Sequence, residues 1–315
     1  MSVVCFGELL IDFVALETGV EVGDASGFLK APGGAPANVA VATARLGHPS
    51  AFLGQVGDDP FGHFLADLLE AEGVDIRGLK FSTAARTALA FVSVKPDGER
   101  DFVFYRHPSA DMLMRPEDVA LEVLRGKRIF HFGSITMIGE PSRSATLMAA
   151  QNAHANNLLI SYDPNLRLSL WPSAEAARTG MLTGLNYAHL VKVSDDELKF
   201  LTGTDRVDAL WREQTQIIVV THGARGATAY TVHTRKEQYH VPGFSVPTVD
   251  TTGAGDGFVA GMLVGILERW PDYLSHMPEI LRFANAVGAL STTSRGAIPA
   301  LPSRQTVDAF MRGPG

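Results

Sequence analysis

The sequence predicts an α/β protein: a doubly wound, mostly parallel sheet with helices on both faces, plus a small β-sheet lid. Three observations point there. Short apolar runs alternate with helical stretches along nearly the whole chain, as in a parallel sheet covered on both faces. Glycine-rich turns follow several of these runs, where such sheets bind ligands beyond the carboxyl ends of their strands. One stretch breaks the alternation: residues 87–94 and 101–105 read as two strands around Asp97-Gly98, the signature of a hairpin.

In chain order, residues 2–10 are strand-like and end in Gly7-Glu8, followed by Asp12. Residues 13–30 read as irregular and glycine-dotted. Pro36 suits a first helical turn and Gly47 a helix end, so residues 36–46, rich in alanine, form a helix packed close to the sheet. Residues 51–56 are a strand and 61–72 an amphipathic helix. After the hairpin, strands are expected at 128–132, 158–162, 189–193 and 216–221. Helices are expected at 141–156, 175–183, 197–202, 257–268 and 278–292. No linker or internal repeat divides residues 1–315, which read as a single domain with a lid of about 13–31 and 87–106 inserted.

Composition narrows the function classes. The chain is 46% apolar and 19% charged, an ordinary core-forming balance. Its 27 basic and 34 acidic residues give a net charge of −7, which argues against nucleic-acid or anionic-membrane partners. Cys5 is the only cysteine, excluding intrachain disulfides and Cys-rich zinc sites. No basic leader opens the chain, and no stretch approaches the ~20 apolar residues needed to span a bilayer. A cytoplasmic location is expected.

The chemistry centres on Asp250-Thr251-Thr252-Gly253-Ala254-Gly255-Asp256, which precedes a run without charge from Gly257 to Leu267. An all-round apolar run is a buried helix. Its first turn, opened by glycines, offers unpartnered amides and the positive end of the helix dipole to an anion. A carboxylate, Asp256, beside an anion seat suggests a general base next to a phosphoryl group; a simple helix cap is the alternative. The P-loop pattern is absent, the first strand lacks GxGxxG, and the histidines show no zinc spacing. Thr221, Gly223 and Gly226 form a TxGxxG turn after a strand, suited to phosphates or an adenine ring, or merely a tight turn. Glu197 could hold Mg²⁺ through water, or, with Asp195 and Asp196, be an acidic helix start. Asp12, Gly34 and Asn38 could face sugar hydroxyls, or be loop and helix-start residues. Asp163 and Arg167 flank a proline turn that could reach a polar substrate.

GGAPAN (Gly33 to Asn38), followed much later by DTTGAGD (Asp250 to Asp256), resembles the paired signatures of the ribokinase-like, PfkB-type sugar kinases, over nearly the whole chain. Residues 86–92, 104–113 and 161–167 resemble the fructokinase branch in particular. The resemblance implies Asp256 as base and Gly253, Ala254 and Gly255 as anion hole. It implies sugar contacts from Asp12, Gly33, Gly34, Asn38, Arg106 and Arg167. ATP would lie along Lys192, Ser194, Thr221, Gly223, Gly226 and Asn285. Glu197 would serve Mg²⁺, and Asp250, Thr252, Thr292 and Gly296 a potassium-like ion. Many members carry Asn where this chain has Ser194, which sets the nucleotide assignments there apart. The expected activity is phosphoryl transfer from ATP to the 6-hydroxyl of D-fructose, with a homodimer formed through the lid. A 2-keto-3-deoxygluconate kinase is the alternative within the class, and an inactive sugar- or nucleotide-binding sensor the alternative outside it.

Overall fold

The computed structural model describes residues 2–95, 100–233 and 238–313. The elements run β1 (Val3–Phe6), β2 (Leu10–Ala15), β3 (Phe28–Gly33), α1 (Ala35–Arg45), β4 (Ser50–Gly57), α2 (Pro60–Ala71), β5 (Val74–Ser82), β6 (Ala88–Val94) and β7 (Arg100–Tyr105). They continue with β8 (Ile129–Gly133), α3 (Ser142–Ala155), β9 (Leu159–Asp163), α4 (Ala174–Leu185), β10 (Leu190–Ser194), α5 (Asp195–Thr202), β11 (Ile217–Thr221), β12 (Ala227–Thr231) and β13 (Gln238–Val241). The chain closes with α6 (Ala254–Glu268), α7 (Met277–Leu290), α8 (Ala297–Ala300) and α9 (Arg304–Arg312).

Nine strands form one sheet in the order β13-β12-β11-β10-β9-β8-β1-β4-β5. It is parallel from β11 to β5, with β12 and β13 antiparallel at one edge. The strands are apolar on both sides, and their two-residue period sorts the side chains into two cores. Val3, Cys5, Ile217 and Val219 pack with α1, α6 and α7 on one face. Val4, Phe6, Ile218 and Val220 pack with α3 and α4 on the other. This is the doubly wound α/β architecture expected. Strand order reverses around β1 and β8, which opens a crevice at their carboxyl ends.

Residues 13–30, expected to be irregular, instead carry the second half of β2 and the first half of β3. These strands join β6 and β7 in a second sheet of order β3-β2-β6-β7. The β6–β7 pair is antiparallel as the hairpin pattern requires, whereas β2 and β6 run parallel. The parallel partner of β2 lies far away in sequence, so no local turn signal announces it. The expected Asp97-Gly98 turn lies outside the described residues.

The second sheet is tied to the first at Asp59. This N-cap of α2 accepts from Phe61 and Gly62 amides through Oδ1, at 3.0 and 2.9 Å. Its Oδ2 accepts from the Thr87 amide at 2.8 Å, one residue before β6. β5, β12, β13, α8 and α9 were not anticipated from sequence. Among the described residues no helix is long and apolar enough to cross a membrane.

Candidate active site

The helix expected from Gly257 starts three residues earlier, at Ala254. Gly253 caps it in the left-handed region (φ 78°), a conformation that costs a side-chain-bearing residue dearly. No side chain caps this end; the Ala254 amide, expected in the anion hole, donates to the Thr251 carbonyl at 3.3 Å, and the amides of Gly255 and Asp256 face the anion seat. From Asp256 to Leu267 every residue of α6 is buried, which explains its unbroken apolar sequence.

Two cavities meet at this first turn. A sugar-sized cavity of about 170 Å³ is lined by Asp12, Gly34, Asn38, Arg167, Gly253, Gly255 and Asp256, all anticipated from sequence. A larger one of about 340 Å³ is lined by Thr221, Gly223, Gly226, Asn285, Ala254 and Thr292, also anticipated. Thr251 and Gly255 line both.

In the smaller cavity, Asn38 Nδ2 donates to Asp256 Oδ2 at 2.7 Å, joining α1 to α6. Burial pushes the Asp256 carboxyl up from its ordinary value, while the Asn38 hydrogen bond and the cations Arg167 and Lys192 oppose the shift. Asp256 therefore holds a proton more readily than an exposed aspartate. Gly34 sits at φ 110°, and a Cβ there would stand 2.4 Å from the Glu8 carbonyl oxygen, so only glycine fits. Gly33 is absent from the lining; it packs against Asp12, whose Oδ2 a Cβ would meet at 2.2 Å.

Several residues that sequence reasoning passed over complete the wall. Glu8, at the carboxyl end of β1, accepts from the Ala35 amide at 3.0 Å, and burial pushes its carboxyl up to about 7. Its position after the first strand was the available signal. Phe102 and Phe104 reach in from the second sheet, their rings 5.8 Å apart and nearly parallel. Ile135 and Asn165 close the floor.

Besides Gly33, four expectations need correction. Arg106 does not line the cavity; it is buried and ion-paired with Asp111, because a buried guanidinium requires a carboxylate. Lys192 does not line the nucleotide-side cavity. Asp163, on the neighbouring strand, draws its ammonium to 3.1 Å, placing it in the sugar-side wall. Ser194 lines neither cavity: it N-caps α5, accepting from the Glu197 amide. Glu197 likewise lines neither. Its Oε1 accepts from the Leu166 amide and Oε2 from the Ser194 amide, both at 2.8 Å.

The residues expected around a monovalent cation do come together. Asp250 Oδ1 accepts from the Thr252 amide and hydroxyl, and Oδ2 from the Gly296 amide. The Thr292 carbonyl receives the amides of Val249 and Asp250. In the larger cavity, Asn285 Nδ2 donates to the carbonyls of Val241 and Pro242 at 3.0 and 3.2 Å, fixing the amide and the loop after β13.

A profile of pfkB family carbohydrate kinases matches residues 1–304. The chain belongs to the pfkB carbohydrate kinase family. It is 51% identical over 318 residues to "Probable fructokinase-4" of Arabidopsis thaliana, covering 99% of this chain and 97% of that one. It is 49% identical to fructokinase-2 of Solanum lycopersicum, with 99% and 96% coverage. Among solved structures, the ATP-bound fructokinase of Xylella fastidiosa superposes with a TM-score of 0.90 at 37% identity, covering 99% of this chain and 98% of that one. A double-mutant fructokinase of Vibrio cholerae O395, in its fructose-, ADP- and potassium-bound form, superposes with a TM-score of 0.86 at 36% identity, covering 98% and 97%.

Proposed function

We propose that this pfkB kinase is an ATP-dependent fructokinase, transferring the γ-phosphoryl group to the 6-hydroxyl of D-fructose. One observation carries the reading: Asp256 stands in a sugar-sized cavity that meets a nucleotide-sized cavity at the open first turn of α6. Asp256 takes the hydroxyl proton as that oxygen attacks the γ-phosphorus in line. The bond to the bridging oxygen breaks, and its electron pair leaves on ADP. The amides of Gly255 and Asp256 meet the charge gathering on the phosphoryl oxygens. General-base help of this kind is typically worth about 10²–10⁴-fold. Phe102 and Phe104 cover the sugar from the second sheet, keeping water from competing for the phosphoryl group.

Mg²⁺ arrives with ATP as its complex. The engaged oxygens of Glu197 are poorly suited to a resident ion, and Mg²⁺ keeps phosphate and water ligands readily. Asp250, Thr252, Thr292 and Gly296 gather beside the anion seat, and the potassium-bound form of the Vibrio cholerae O395 fructokinase supports a potassium ion there. Leu16, Leu29, Val103 and Tyr105 are exposed on the second sheet or at its edge, supporting a homodimer through the lid. A free buried Cys5 and an ATP substrate suit the cytoplasm.

Glu8, Asp12, Asp163 and Asp256 outnumber Arg167 and Lys192 in the sugar-side wall, which favours a neutral polyol over a sugar acid. A coupled ADP-release assay across a sugar panel tests this. Fructose should lead; faster turnover of 2-keto-3-deoxygluconate would replace the reading with the acid kinase, and ATP binding without turnover would replace it with a sensor.

A further inference from the structure

The turn Gly223–Arg225, closed by Gly226, presents Gly223, Ala224 and Gly226 to the nucleotide-side cavity. Its two ends are not held alike. Gly226 is wedged against the loop after β13: a Cβ there would stand 2.1 Å from the Val241 carbonyl oxygen. Gly223 lies in the left-handed region (φ 57°), and a Cβ there would meet no heavy atom of the described residues within 4 Å beyond its chain neighbours. Packing therefore leaves the leading end of the turn loose. A hydrogen-bonded chain behind it takes up the slack. His222, immediately before Gly223, lines neither cavity. Its Nδ1 lies 2.6 Å from Asp195 Oδ1 in the first turn of α5. Its Nε2 lies 2.8 Å from the Thr228 hydroxyl of β12, which in turn lies 3.1 Å from His240 Nδ1 of β13. A carboxylate only accepts, so the neutral His222 ring carries its proton on Nδ1 and receives the Thr228 hydroxyl at Nε2. Asp195 Oδ2 accepts from Arg225 Nη2 at 2.8 Å, so one carboxylate holds the residues on either side of Gly223 and Ala224. The His222 side chain is 19% exposed against 77% for Arg225, so its bond is the better shielded of the two.

We propose that Asp195 and His222 are positioning residues for nucleotide binding: from behind the cavity wall they hold the Gly223–Arg225 turn in the shape the nucleotide meets. The inference rests on the reading of the larger cavity as the ATP site. A turn ordered in advance spares the ligand the cost of ordering it, and the saving appears as affinity. The sugar-side cavity and the first turn of α6 contain neither residue, so kcat and sugar affinity should not follow.

The test is calorimetric titration with ADP beside steady-state kinetics, on the parent, Asp195→Ala, His222→Leu, His222→Asn and the double variant Asp195→Ala/His222→Leu. Ser194 still caps α5 when Asp195 is replaced, so that helix keeps its start. Asp195→Ala and His222→Leu should each raise the ADP dissociation constant and the ATP KM about tenfold, with kcat and the fructose KM within about threefold. His222→Asn keeps an N–H donor near the Nδ1 position and should stay within about threefold of the parent. Leucine fills the histidine's space better than asparagine does, so a role in packing alone would give the reverse order. The double variant should bind ADP within about twofold of the weaker single variant, because the two residues act as one pair. A parent that binds no ADP rejects the nucleotide reading and this inference with it. A parent that binds ADP, with both single variants within twofold of it or with His222→Leu binding more tightly than His222→Asn, rejects the positioning role alone.

Discussion

Replacing Asp59 by alanine should loosen the second sheet where it joins the main one. Asp59 lines neither of the two cavities, but it caps α2 and receives the Thr87 amide and hydroxyl at 2.8 and 2.9 Å. Loss of an N-cap costs about 1 kcal/mol. Stranding the buried Thr87 amide adds about 1–3 kcal/mol, for a total of about 2–4 kcal/mol. Asp59→Asn keeps the oxygen that serves the α2 amides but turns an NH₂ toward the Thr87 donor, so it should lose about half as much. Acid should act like the mutation. The hydrogen bonds overcome burial and hold the Asp59 carboxyl below its ordinary value, so its contribution is full above the unfolded value and fades as pH falls through the folded one. Urea unfolding followed by circular dichroism measures the stability change. Because Thr87 leads into β6, the fructose KM should also rise severalfold, with the ATP KM little changed. An alanine variant within about 0.5 kcal/mol of the parent, at equal m-value, would refute the reasoning.

Two further predictions concern the cavities. Towards acid, kcat/KM should fall with a midpoint above the ordinary aspartate value, because Asp256 must be ionised to act and burial raises its carboxyl. A profile whose acid limb has its midpoint at or below that ordinary value would contradict this assignment of the base. Asn285→Leu should raise the ATP KM about tenfold with kcat within a few-fold, because the loop at Val241 and Pro242 loses two hydrogen bonds. An unchanged ATP KM in steady-state kinetics would place the nucleotide elsewhere.

What could be read from sequence follows from how local the physics is. Gly253, Gly255 and Asp256 were legible because the open end of a buried helix and the carboxylate in its first turn lie within a few consecutive residues. Thr221, Gly223 and Gly226 were legible for the same reason, as a turn after an apolar strand. The destination of Lys192 was not, because it is decided by Asp163 on a strand that pairs with β10 only in space. Glu197 shows the opposite case. Its local reading, an acidic residue at the start of a helix, is what the capping box with Ser194 records, and the metal reading placed it too near the cavity. Arg106 illustrates a third limit: Asp111, five residues on, holds one terminal nitrogen of the buried guanidinium, while Nε is left without a partner among the described residues. The second sheet stayed hidden in part because β2 finds its parallel partner, β6, across a long stretch of chain.

Phosphoryl transfer here depends on the carboxylate at the mouth of α6, and its sharpest test is the turnover number of Asp256→Asn. The amide keeps the shape and can still meet Asn38, so fructose and ATP should bind with near-parent affinity while kcat drops by about 10²–10⁴-fold. A variant that turns over fructose at a rate comparable to the parent would show that some other group takes the proton.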